Sequence, residues 1–250
     1  MPIIDSLIPQ LQTRLDQIAS PKTRDWWQRY MRQVIPFRGV GIPQIREQLI
    51  LWQAEHGIES WDANQQLRLA MALFESPIAE DKLAGILYLQ TFLADRLEWQ
   101  TLLAEIEQLY AKALIFDWNT CDWLCVRVLG PAIARHGTDC GGAVAAWAGT
   151  SYLWQARAGV VAFVPVVTEA RYDPLIYPAC QTLIRREERF AKTGVGWILR
   201  DLSKRDPAAV RRFVDQNLAY FSTEALRNAY KYFQKAEVQL ALDKLKSSRT

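Results

Sequence analysis

The sequence predicts an all-α protein, an α-solenoid of antiparallel, HEAT-like helix pairs. Three observations predict it. Apolar residues recur at three- and four-residue spacing along almost the whole chain. Glycine (12) and proline (11) are sparse, and Val, Ile and Thr rarely alternate with polar residues, so no strand pattern competes. Connections are short, and the segments 120–149, 151–186 and 187–218 each read as a helix pair with a repeat of 30 to 40 residues.

The elements follow in order. Residues 2–19 form an amphipathic stripe of Leu7, Leu11, Leu15 and Ile18, which Ser20-Pro21 breaks. Residues 23–34 make a second helix that carries Trp26, Trp27, Tyr30 and Met31. The stretch 35–43 holds two glycines and two prolines and reads as a loop. Its Gly39-Val40-Gly41 follows no strand and lacks the rest of a dinucleotide fingerprint, so it does not point to a nucleotide cofactor. Helices are then expected over 43–56, 62–74, 79–96, 98–113, 120–135, 139–149, 151–166, 170–186, 187–204, 207–218, 222–233 and 235–246.

A chain of 250 residues, half of them hydrophobic and 23% charged, has ample core for a single all-helical domain over 1–250. No apolar run reaches the roughly 18 to 20 residues of a membrane span. The N-terminus lacks the basic and apolar pattern of a signal peptide, so a cytoplasmic protein is expected, nucleoid-associated if bacterial. Cys121, Cys125, Cys140 and Cys180 form no CxxC and have no histidine at ligand spacing, which fits buried free thiols rather than a metal site. The net charge of +3 is unevenly placed: residues 181–250 hold 15 Lys/Arg against 8 Asp/Glu. A basic C-terminal third points to a polyanion, and the concave face of stacked helix pairs would cradle an extended one such as duplex DNA.

The stretch 115–124, Ile-Phe-Asp-Trp-Asn-Thr-Cys-Asp-Trp-Leu, is the first candidate site. Trp118 and Asp122 are four residues apart and share one helix face. Asn119 or Thr120 can cap that helix, which puts Trp118 just before it and Asp122 in its first turn. A carboxylate beside an indole suits a cationic ligand. The alternative is structural, with Trp118 and Trp123 as core anchors and Asp122 favoured by the helix dipole.

Two further stretches stand out. Trp154-Gln155-Ala156-Arg157 opens a very apolar helix, where the guanidinium needs a carboxylate, a helix C-terminus or a phosphate. Gly194 and Gly196 lie inside the helix that carries Lys192, Trp197 and Arg200, at about 1 kcal/mol each relative to alanine. Close packing of a neighbouring helix or close approach of a ligand would explain them.

Taken together, these stretches resemble the AlkD-like DNA alkylation repair glycosylases, a family of HEAT-like repeats, over roughly residues 20 to 235. Tyr30-Met31 followed by Pro36-Phe37-Arg38-Gly39-Val40 is similar to the family's N-terminal segment. Trp118-x-x-x-Asp122 matches its Trp-x-x-x-Asp, Trp154-x-x-Arg157 its Trp-x-x-Arg, and Lys192 to Trp197 its Lys-Ala-Ile-Gly-Trp. The chain departs from the pattern at Asp117, where the family often has a second Trp, at the bulky Trp123, and at Gly194 in place of an aliphatic residue.

The resemblance implies a monofunctional glycosylase that hydrolyses the N-glycosidic bond of N3- or N7-alkylated purines in double-stranded DNA. It implies no metal or organic cofactor, no membrane and no obligate protein partner, with a monomer expected. Asp122, Trp118 and Trp197 would be catalytic. Tyr30, Arg157, Lys192, Arg200 and Lys204 would bind DNA on the concave face. Two other classes remain open, a non-catalytic DNA-binding repeat protein and a scaffold that binds a protein partner.

Overall fold

The computed structural model describes residues 2–247, among which every regular element is helical and none is a strand. The chain divides into two compact units, one ending at Val128 and one starting at Leu129. The first holds α1 (Pro2–Gln17), α2 (Pro21–Tyr30), α3 (Ile42–Glu55), α4 (Ala63–Leu73), α5 (Ala79–Tyr88), α6 (Trp99–Ala111) and α7 (Trp118–Leu124). The second holds α8 (Gly130–Ala146), α9 (Leu153–Val161), α10 (Asp173–Ile184), α11 (Arg189–Leu202), α12 (Pro207–Asn217), α13 (Thr223–Ala229) and α14 (Lys235–Ser247). No helix among the described residues is long and apolar enough to cross a membrane. All four cysteines are buried and unpaired with one another.

Local chemistry starts these helices where caps allow it. Ser20 accepts from the backbone N–H of Thr23 at the head of α2, and Pro21 takes the first helical position, where no N–H is needed. Asp62 and Gln65 form a capping box on α4. Asp206 and Ser222 cap α12 and α13. The expected second helix, 23–34, stops at Tyr30 because Arg32 and Gln33 turn left-handed, with φ of 52° and 57°. The expected break near 136–138 is a kink at Gly137, with φ 73° and ψ −150°, inside α8. The helix expected over 151–166 ends at Val161, and Pro165 lies in the short 3-10 turn that follows. Two π turns, Leu89–Leu93 after α5 and Cys125–Leu129 after α7, left no mark in the periodicity.

In the first unit α5 is the centre. Each of its residues is buried, and it packs against α3, α4 and α7. That burial includes the charged run Glu80-Asp81-Lys82. Glu80 accepts three backbone N–H bonds from the 35–43 loop, from Arg38 (2.9 Å), Gly39 (2.8 Å) and Val40 (3.1 Å). Asp81 takes a forked pair from Arg38 (3.3 and 2.6 Å) and further bonds from Ser76 (2.5 Å) and Gln12 (3.0 Å). Lys82 donates to the carbonyl of Phe74 at 2.5 Å. The loop is therefore held from inside by carboxylates whose charge is met by hydrogen bonds, as burial requires.

The second unit shows the repeat most plainly. α9 packs on α11 and α11 on α13, while α8 packs on α10 and α10 on α12. The α10 row also meets the other row, at α9 and α11. These are stacked helix pairs in two rows, as the repeat in the sequence predicts. The two helix-interior glycines belong to this packing. A Cβ on Gly194 would stand 3.0 Å from Nη1 of Arg157, and one on Gly196 2.6 Å from the carbonyl oxygen of Ala225 on α13. Backbone cannot step aside as a flexible side chain can. Gly196→Ala is therefore expected to lose about 1–3 kcal/mol despite alanine's better helix propensity. Denaturant melts will show it, and a stabilised variant would mean that α13 is free to move.

Candidate functional site

In the first unit, the two motifs at 30–37 and 118–122 come together. α7 begins at Trp118, and its cap is Asp117, which accepts from the backbone N–H of Thr120 at 2.9 Å and from its hydroxyl. The expected cap, Asn119 or Thr120, is thus one place further along, with both residues buried in the helix. Trp118 is the first helical residue and Asp122 the fifth, past the first turn. The reason is that an Asp accepts from the N–H three residues on, and Asp117 in extended backbone (φ −137°, ψ 158°) presents its carboxylate to do so. Asp117, one of the three departures from the pattern that the resemblance sets, is therefore the residue that starts the helix.

Asp117 is itself buried. Burial pushes its carboxyl above the usual range, against the bonds from Thr120 and the charge of Lys82. Burial likewise lowers Lys82, against Asp117 and Asp81. Lys82 also lies over the ring of Phe116, 5.4 Å from its centroid. The central helix thus reaches the root of α7 through an ammonium group.

Trp118 and Phe116 pack against a cluster of Met31, Ile35, Phe37 and Ala79, with Trp27 beside them. Trp27 stacks on Phe37 at 5.4 Å, and Tyr30 meets Trp118 edge to face at 5.4 Å. Trp118 is half-buried, partly core anchor and partly surface. Asp122, one helical turn on, is also half-buried. Behind it lies Tyr110, whose hydroxyl is raised well above its ordinary value by burial first, then by Cys121 and Cys125, with the charge of Asp122 adding to the effect. Trp123 is half-buried and carries the guanidinium of Arg127 over its ring at 5.0 Å.

The second unit gathers another group. Asp201 is the hub. It accepts from the indole N–H of Trp197 (2.9 Å), from Arg200 (2.8 Å) and from Lys204 (2.7 Å). Burial alone would raise its carboxyl, but the bonds and charges of Arg200 and Lys204 outweigh that and hold it below the usual range. Arg200 also sits over the Trp197 ring at 5.7 Å, and Lys204 over Tyr232 at 4.9 Å. Trp197, Arg200 and Lys204, expected from the sequence as site residues, are thus tied together. Asp201 was not among the expected residues, although its spacing of four from Trp197 and three from Lys204 was there to read.

Arg157 and Lys192 are placed differently. Arg157 is 4% exposed and donates to the carbonyl of Phe190 at 2.7 Å and to the hydroxyl of Thr193 at 3.4 Å. One bond that holds it is thus to a carbonyl in the first turn of α11. Lys192 is buried along its stem and pairs with the exposed Glu187 at 3.2 Å.

The sequence model of the family described as DNA alkylation repair enzyme matches residues 11–233. Among solved structures, a predicted DNA alkylation repair enzyme from Enterococcus faecalis superposes with a TM-score of 0.74 at 21% identity, covering 87% of this chain and 97% of that one. AlkD2 from Streptococcus mutans superposes with a TM-score of 0.58 at 16% identity, covering 84% and 98%. At these identities the structures show a shared helical fold. No curated protein matches the chain. The family match, by contrast, spans nearly all of both units, and on that ground the chain belongs to the DNA alkylation repair enzyme family.

Proposed function

We propose that the chain is a monofunctional DNA glycosylase that hydrolyses the N-glycosidic bond of N3- or N7-alkylated purines in duplex DNA. The observation that carries this reading is Asp122, a half-buried carboxylate one turn beyond Trp118 on a helix whose cap is a different acid. An alkylated purine is already cationic and leaves as a neutral base. Positive charge then develops on the deoxyribose, as in other glycoside cleavages. A carboxylate fixed beside that sugar stabilises the charge and can orient the attacking water. The indole of Trp118 offers a face to the same cation. Tyr30 adds a second aromatic edge. Trp197, held by Asp201, is proposed in its own right as an aromatic contact to the alkylated DNA.

Phosphate contacts suit Lys204, whose side chain is 55% exposed, and Arg200, both oriented by Asp201. Arg157 and Lys192 are more deeply set, each already bonded within the protein, and would meet phosphates from there. The proposed enzyme acts as a monomer and needs no metal or organic cofactor.

The test is incubation with a duplex carrying one N7-methylguanine, followed by alkaline cleavage at any abasic site. Strand cleavage is the expected result. Salt-sensitive duplex binding without cleavage would leave a non-catalytic DNA-binding protein, and no duplex binding would leave a protein scaffold.

A further inference from the structure

The helix α2 has no buried residue, yet it carries two tryptophans and a tyrosine. Trp26 is 51% and Tyr30 54% exposed, and their rings stack at 5.2 Å and 11°. Aromatic groups this large normally go to the core, where they gain most. Trp27, the next residue, does turn inward to stack on Phe37. Trp26 instead extends the chain of contacts from Trp118 through Tyr30 out to solvent. Cations lie close by: Lys22 and Arg29, four residues before and three after Trp26, are exposed on its side of α2. Arg24, paired with the exposed Asp25, and Arg32 just beyond the helix are exposed as well.

We propose that the Trp26–Tyr30 stack is a platform for one unpaired nucleobase of DNA, next to the candidate site. This rests on the reading of DNA as the ligand. A paired base inside a duplex has both faces covered by its neighbours. An unpaired base has a free face, and a stack of two flat rings can take it as a third. The surrounding cations would hold the phosphates on either side of it, which a protein partner or a second copy of this chain would not supply.

The experiment compares three undamaged DNAs of one sequence by fluorescence anisotropy: a perfect duplex, a duplex with a one-nucleotide bulge, and the same bulge lacking its base. The wild-type chain should bind the base-bearing bulge roughly tenfold more tightly than the other two. Trp26→Ala should bring that preference below about twofold, and Trp26→Phe should keep most of it, because a flat ring suffices. Trp26 is exposed, so both variants should melt with the wild type.

Equal affinity for the two bulges would overturn the platform, as would a Trp26→Ala variant that loses affinity for all three DNAs alike. In either result the wild-type chain still binds DNA, so it is distinguishable from failure of the glycosylase reading. Absence of binding to any DNA would overturn both. A dimer in light scattering that Trp26→Ala dissolves would overturn the platform by giving the face to a second copy.

Discussion

Replacing Asp122 with Asn should slow single-turnover excision of N7-methylguanine by about 10²-fold or more, the usual cost of losing one preorganised electrostatic group. The substitution keeps the size and removes the charge. Duplex affinity should be unchanged or slightly tighter, since a negative charge facing phosphates has gone. The local geometry makes the result easy to read. Asp117 already caps α7, so Asp122 has no capping role to lose. Asp117→Ala is the matching control. It removes the cap and the partner of the Thr120 hydroxyl, and should lower the melting temperature through stability rather than chemistry. If Asp122→Asn melts early but excises at the wild-type rate per folded molecule, the carboxylate is structural and the mechanism is wrong.

The second large effect is expected at Glu80. Glu80→Ala would leave three backbone N–H groups of the 35–43 loop without their acceptor. At about 1–3 kcal/mol for each unsatisfied group, with partial relief by water, the loss should be on the order of 3–5 kcal/mol. That is a large fraction of the about 5–15 kcal/mol that holds a domain. The loop cannot easily relax. Gly39 has a φ of 101°, and a Cβ there would stand 2.2 Å from the carbonyl oxygen of Ser20. Phe37, under Trp27 and beside Trp118, belongs to the same loop. Thermal melts should show the loss as a drop of roughly 10 °C or more. Glu80→Gln retains an acceptor oxygen and should fall between the two. A Glu80→Ala protein that melts with the wild type would show that the loop is held by its apolar contacts alone.

Much of the fold was legible because helical periodicity is a property of neighbours in sequence. The all-α class and the place of nearly every helix come from apolar residues three and four apart, and the caps at Ser20, Asp62, Asp206 and Ser222 mark starts that local chemistry imposes. Spacing alone also put Trp118 and Asp122 on one face. What spacing cannot carry is the meaning of a charge. Glu80, Asp81 and Lys82 fall at the start of the helix expected over 79–96, and become a buried network only because the 35–43 loop and Phe74 come in from elsewhere in the chain to meet them. Arg157 reads in sequence as needing a carboxylate, a helix C-terminus or a phosphate, and only the approach of α11 at Gly194 brings the carbonyl of Phe190 to it. Trp26 and Trp27 are adjacent and chemically identical, so composition assigns them one role. Helix geometry turns consecutive side chains about 100° apart, and only the packing of Phe37 settles which of the two is spent on the interior and which is left for a ligand.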